Sequence, residues 1–117
     1  ICKEKQTLLS FSPKDFSFIA EKNISEIFSV LSDLNIRANL MQNSAISFSV
    51  CLDDHEHKID NLISTLQEQF NIRYNRNLTL ITIRHFTEEI IERFNANTRV
   101  LLEQRSRNTV QLVVREV

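Results

Sequence analysis

Four groups of residues have the types and spacing to do chemistry. Cys51, His55 and His57 form a Cys-x3-His-x-His run, which supplies thiolate and imidazole ligands of the kind that hold zinc. Asp53, Asp54 and Glu56 are interleaved with them, so the same residues also make an ordinary polar turn between a strand and a helix, and this is the preferred reading. His85 stands just before a capped helix and reads as a loop histidine, not a base. Arg105 and Arg107 lie in a turn where a phosphate or carboxylate could dock, but a solvated hairpin tip with salt-bridge partners accounts for them more simply. No Ser/His/Asp or Cys/His spacing marks a nucleophile, and no catalytic or metal-binding residue is assigned.

The fourth group is the stretch NLMQNSAISFSV, Asn39 to Val50. Two β-patterned runs flank Gln42-Asn43-Ser44, where a hairpin would ordinarily use Gly or Pro. In a βαββ unit the loop after the first strand and the turn after the second emerge at one end of the sheet, so residues 12–19 and 39–44 can approach one another. Between them they offer carboxamides, hydroxyls, Asp15 and strand-end backbone groups, which suit the ammonium and carboxylate of a free amino acid. Such residues also populate turns for purely local reasons, and the two readings stand side by side.

The composition narrows the classes of partner. A net charge of −1 among 117 residues argues against nucleic acid, which is bound through an excess of Lys and Arg. An RNA-binding sandwich would also need aromatic residues on its central strands, and Phe48 alone does not supply them. The chain contains no Gly, which removes the phosphate-cradling loops and the dinucleotide fingerprint. No apolar run approaches the roughly 20 residues of a membrane span. Two cysteines cannot build a disulfide scaffold, and a reducing cytoplasm is the expected setting. The first residue is not Met and no signal-peptide pattern is present, which suggests a fragment of a longer protein.

The elements that must position these groups follow from periodicity. Thr7 to Ser12 reads as a strand, followed by a loop from Pro13 to Ser17 that includes Phe16. Asn23-Ile24-Ser25-Glu26 has the form of a helix start, and Ile24, Ile27, Phe28, Leu31 and Leu34 form one buried face ending near Asn35, which takes the left-handed turn in place of Gly. Strands are expected at Ile36 to Met41 and Ala45 to Leu52. In the latter Ile46, Phe48, Val50 and Leu52 point one way, and Ser47, Ser49 and Cys51 the other. A helix opened by Asp53-Asp54 carries Ile59, Leu62, Ile63, Leu66 and Phe70. Then come an extended run at Asn71 to Tyr74, a turn through Asn75-Arg76-Asn77, a strand at Leu78 to Arg84, a helix opened by Thr87, and strands at Arg99 to Glu103 and Thr109 to Arg115.

This order predicts an α+β fold: a ferredoxin-like βαββαβ sandwich with helices on one face of an antiparallel sheet, followed by a partial βαββ module. LMQNSAISFSV and LLEQRSRNTVQLVV occupy the same place in the two halves, a sign of internal repetition. The expected boundaries are 6–77 and 78–117. Ile1 to Glu4, read as the remnant of a preceding strand, pairs into the second sheet or lies at the truncation edge, and residues 1–5 are available to complete that module.

The stretch Gln6 to Asp53 resembles the start of the C-terminal regulatory region of aspartokinases. It shows a strand of the type Q-T-L-L, a helix ending Asn35-Ile36, a turn containing Ser44 and the alternating strand Ile46 to Asp53. NLTLITIRH looks like the strand opening that family's second repeat, and LLEQRSRNTVQLVV is similar to its strand pair. The resemblance implies two ACT modules in tandem, a homodimer formed through their sheets, and a catalytic kinase domain upstream that is not in this chain. ATP and Mg are implied only for that domain, and no cofactor for this fragment. It also implies allosteric inhibition of aspartate phosphorylation by an end-product amino acid, lysine or threonine. By position, the effector would meet Ala38, Asn39, Leu40, Gln42, Asn43 and Ser44, with Phe18, Ile19 and Ile24 from the loop and helix. Asn39 and Ala45 stand where lysine-sensitive members can carry carboxylates, which weakens the case for a cationic ligand. The runner-up reading is a module that only dimerises.

Overall fold

The computed structural model describes residues 2–15 and 17–116, with the side chain of Glu116 left aside. The elements follow the order β1 (Cys2–Pro13), α1 (Glu21–Asp33), β2 (Ala38–Asn43), β3 (Phe48–Asp53), α2 (Glu56–Leu66), β4 (Phe70–Arg84), α3 (Glu88–Asn97), β5 (Thr98–Arg105) and β6 (Thr109–Glu116). The fold is α+β and of the ACT, ferredoxin-like kind. Tertiary contacts divide the chain into a unit of residues 7–75 and a unit joining 2–6 to 76–116. The long strands β1 and β4 each run through both.

In the first unit the strand order is β2-β3-β1-β4. Alternation places Leu9 and Phe11 of β1 with Phe48, Val50 and Leu52 of β3 on one face. Ile27 and Leu31 of α1 and Leu62 and Leu66 of α2 close over that face to form the core. Phe11 and Phe70 meet edge to face with ring centroids 6.1 Å apart. Each fully buried Leu or Phe contributes roughly 1.5–3 kcal/mol through removal from water.

In the second unit β4 pairs antiparallel with β6, and β6 with β5. Its core is smaller: Ile91 of α3 packs with Val110, Leu112 and Val114 of β6, flanked by Ile81, Ile83, Phe86, Phe94 and Val100. Among the described residues this unit has one helix.

Several expected boundaries are corrected. Helix α1 begins at Glu21, so Asn23 is not its first cap. It sits a turn inside the helix and its Oδ1 accepts the Ala20 N–H at 2.8 Å, the reach-back role usually filled by Glu or Gln. Helix α2 starts after His55, because Asp53 still belongs to β3 and its carbonyl accepts the His55 N–H. Phe70 opens β4 instead of lying on α2. The predicted turn at Asn75-Arg76-Asn77 is absent. Asn77 takes a left-handed conformation (φ 59°) inside one continuous strand, so the turn-prone residue does not end it. Cys2 to Glu4 is likewise not a separate strand but the start of β1. Ile1 and Phe16 lie outside the described residues.

Asn35 behaves as the sequence suggests. At φ 56° it ends α1, while the Ile36 N–H reaches back to the Leu31 carbonyl (2.8 Å) and its own N–H to that of Ser32 (3.0 Å). This is the six-to-one closure that commonly uses Gly.

Candidate functional site

The loop after β1 and the β2–β3 turn do meet. The Ile19 N–H donates to the Ala45 carbonyl at 2.8 Å, tying the two connections together at one end of the first unit. The turn itself lies two residues later than its sequence suggested. Gln42 and Asn43 remain in the ladder, opposite Ser49 and Phe48. Ser44 closes the turn: its N–H donates to the Ser47 carbonyl (2.9 Å), and its Oγ accepts the Ser47 N–H (3.2 Å). A hydroxyl thus does locally what Gly does by conformational freedom. Ile46, expected to point inward with Phe48, is instead 63% exposed at the turn tip.

The nine expected contact residues fall into three groups. Ile19, Ile24, Ala38 and Leu40 turn their side chains into apolar surroundings, the first three against the first unit's core, so a ligand would meet chiefly their backbone. Asn39 sits at a register slip between Ala38 and Leu40, and its Nδ2 donates to Asp53 Oδ1 at 2.9 Å. Ser44 is engaged in the turn. Phe18 is 74% exposed, Gln42 is half-buried, and Asn43 is exposed. The junction is therefore assembled, but Asn39 and Ser44 already serve the hairpin.

A cavity of about 450 Å³ opens beside the junction, on the sheet face turned away from the helices. Ser10 and Ser12 of β1, Asn71 and Arg73 of β4, and Ser17 and Ser47 from the loop and turn line it. Ser12 and Ser17 belong to the stretch 12–19 expected at this end, whereas Ser10, Ser47, Asn71 and Arg73 were not singled out from the sequence. The signal was alternation: Ser10 and Ser12 stand between Leu9, Phe11 and Pro13, and Asn71 and Arg73 alternate with Phe70 and Ile72, so a polar strip backs the core. Ser10 and Ser49 hydroxyls lie 2.8 Å apart on that face. Asp15 stands nearby, its carboxyl held below its ordinary value by hydrogen bonds from the Ser17 side chain and backbone.

The other sequence candidates are placed as follows. Cys51 is buried in β3, while His55 and His57 are exposed. Among the described residues no group of three His, Cys, Asp or Glu side chains is positioned to hold a metal. His85 adopts φ 54° and donates its N–H to the Asn108 carbonyl. Arg105 pairs with Glu88 (2.7 Å) and Glu103 (2.6 Å) and lies over the Phe86 ring. Among the described residues no helix is long and apolar enough to cross a membrane.

Comparison with protein-family models and with curated protein sequences finds no match. Comparison with solved structures does. The chain superposes on Clostridium acetobutylicum aspartate kinase with a TM-score of 0.78 at 18% identity, over 97% of this chain and 29% of that one. E. coli aspartokinase III in complex with lysine and aspartate gives 0.74 at 18% identity, over 97% and 28%. The regulatory subunit of aspartate kinase from Thermus flavus gives 0.70 at 8% identity, over 97% and 85%. The chain thus has the fold of aspartokinase regulatory regions and spans less than a third of the whole enzymes it matches.

Proposed function

We propose that this chain is the regulatory region of an aspartokinase, receiving an end-product amino acid at the loop–turn junction of its first unit. The observation carrying the reading is the shared architecture over 97% of the chain with proteins described as aspartate kinases and their regulatory subunits. The Ile19–Ala45 bond supports it by joining the two connections that such a ligand would bridge. The effector is lysine or threonine, met by the backbone at Phe18, Ile19, Ile24, Ala38 and Leu40 and by side chains of Asn39, Gln42, Asn43 and Ser44. Binding inhibits a kinase domain of the same protein, where ATP and Mg belong, with a coupling of ~1–3 kcal/mol. The units are ACT modules of residues 6–77 and 78–117, the second completed by 1–5. A cytoplasmic setting goes with this reading, since neither Cys2 nor Cys51 is in a disulfide.

Dimerisation through the sheets belongs to the same proposal. Strand β2 is an edge strand, Met41 on it is 43% exposed, and such an edge readily pairs with a second copy. Melting followed against lysine, threonine and methionine tests the effector: at about 100 times its dissociation constant a ligand adds ~2.7 kcal/mol. No response to any of the three sinks it.

A second reading has its own support. Asn39 and Ser44 are already hydrogen-bonded inside the hairpin, as expected of a module that only dimerises. Asn39→Ala separates the two. It abolishes an amino-acid response in the first case and leaves dimerisation nearly unchanged in the second.

A further inference from the structure

We propose that the cavity lined by Ser10, Ser12, Ser47, Asn71 and Arg73 binds a small carboxylate ligand, with the Arg73 guanidinium as its anchor. The proposal deepens the effector reading, and rests on it for the place of the site, but assigns recognition to different side chains and to a different charge class.

The cavity wall carries little charge. One charged group lines it, the cation of Arg73, and no carboxylate does. The remaining polar groups are hydroxyls and a carboxamide, neutral donors that can share a bound anion without neutralising it. Among the described residues the Arg73 side chain has no hydrogen bond or ion pair, whereas Arg105 is committed to two carboxylates. A planar guanidinium with unused donors facing a hydroxyl-lined hollow matches the two oxygens of a carboxylate in a fork geometry.

The backbone holds this arrangement in register. The Lys14 N–H donates to the Gln69 carbonyl at 3.3 Å where β1 and β4 leave the sheet, and stepping inward along both strands brings Asn71 and Arg73 beside Ser12 and Ser10. Leu9, Phe11 and Phe70 on the opposite face are fully buried, so the strands carrying the polar wall are fixed by the core behind it. The Ser17 and Ile46 rim is set by the Ile19–Ala45 bond. A volume of about 450 Å³ admits an amino acid or a small organic acid.

The charge decides the class. A single guanidinium balances one carboxylate, whereas a phosphate dianion calls for a second cation, which the wall lacks. A lysine side chain would bring its ammonium to a wall without an acidic residue. The ligand therefore carries a carboxylate and no cationic side chain.

Calorimetric titration of the 117-residue chain with L-glutamate, L-lysine, L-threonine and inorganic phosphate tests this, using Arg73→Gln, Arg73→Lys and Asn39→Ala as variants. Arg73 is exposed, so its replacement should leave the melting temperature unchanged. The expected result is glutamate binding weakened about tenfold or more by Arg73→Gln, partly restored by Arg73→Lys, and unaffected by Asn39→Ala. Phosphate or lysine binding as tight as glutamate overturns the proposal. Lysine or threonine binding that is lost in Asn39→Ala and unchanged in Arg73→Gln also overturns it, while leaving the effector reading in place. No binding of any amino acid overturns both.

Discussion

The two units repeat one hairpin in detail and differ in what they do with the space beside it. The β2–β3 ladder slips between Ala38 and Leu40, and the β5–β6 ladder between Val100 and Leu102. Ser44 N–H to Ser47 carbonyl closes the first turn at 2.9 Å, and Ser106 N–H to Thr109 carbonyl the second at 2.8 Å. Each turn is tied to the connection ahead of its helix, through Ile19–Ala45 in one and His85–Asn108 in the other. The connections themselves differ: residues 14–20 in the first unit, only 85–87 in the second. In the second, Arg105 fills the junction by pairing with Glu88 and Glu103 over Phe86. Asn43 holds the equivalent position in the first and leaves it open. One frame thus yields a filled junction and an open one, through loop length and the residue before the turn serine.

The largest expected effects test whether the cores are as unequal as they look. Phe11→Ala removes a fully buried ring from the first unit and should cost about 3–5 kcal/mol in chemical denaturation. Leu112→Ala in the second should cost about 2–5 kcal/mol. Hydrogen exchange read residue by residue should show each loss concentrated in its own unit. Uniform loss in both variants would break the comparison and make the division one of contacts only.

The left-handed positions come next. Asn35 ends α1 at φ 56°, whereas α3 passes straight into β5 with Thr98 as its cap. Asn35→Ala should therefore cost about 1–2 kcal/mol, and Asn35→Gly almost nothing. The second unit offers no matching helix-end position, since Thr98 holds its helix end by donating its hydroxyl to the Phe94 carbonyl at 2.7 Å, and an equal cost for Asn35→Gly and Asn35→Ala would show that conformation is not the cause. Helix starts give the smaller contrast. Thr87 Oγ1 accepts the Ile90 N–H at 3.3 Å, while Ala20 offers no such acceptor. Thr87→Ala should lose about 1 kcal/mol and Ala20→Asp gain a similar amount, read from thermal melts.

These cases show what the sequence could and could not carry. Periodicity identified most of the core faces of β3, α1 and α2, because a buried face imposes its spacing on the chain, although Phe28 and Ile46, expected inward, are exposed. Asn35 and Thr87 were legible because local hydrogen bonding acts within a few residues. The continuity of β4 was not, since Asn77 is turn-prone locally and the strand persists through pairing with distant residues. The turn slipped for the same reason: Gln42 and Asn43 are held in the ladder by Ser49 and Phe48, not by their own preferences. Most of the polar wall went unseen because Ser10, Asn71 and Arg73 are unremarkable on separate strands and become a site only when those strands are neighbours.

The smallest effect concerns Asp15, in the longer connection that distinguishes the first unit. Its Oδ1 accepts the Ser17 N–H at 3.1 Å, and together with the Ser17 side chain this holds its carboxyl below the ordinary 3.8. A carboxylate whose folded value is depressed adds stability that is present above its unfolded value and lost as pH falls through the folded one. The contribution is therefore in place at neutral pH, begins to fall below the ordinary 3.8 and is gone once the pH has dropped through the lower folded value. Asp15→Asn should lower the melting temperature slightly at pH 7 and not at all at pH 2. The Ser17 amide resonance should titrate with Asp15 in the parent chain. If that amide is insensitive to pH between 2 and 5, the carboxylate does not order the loop. The length of the connection alone would then separate the open junction from the filled one.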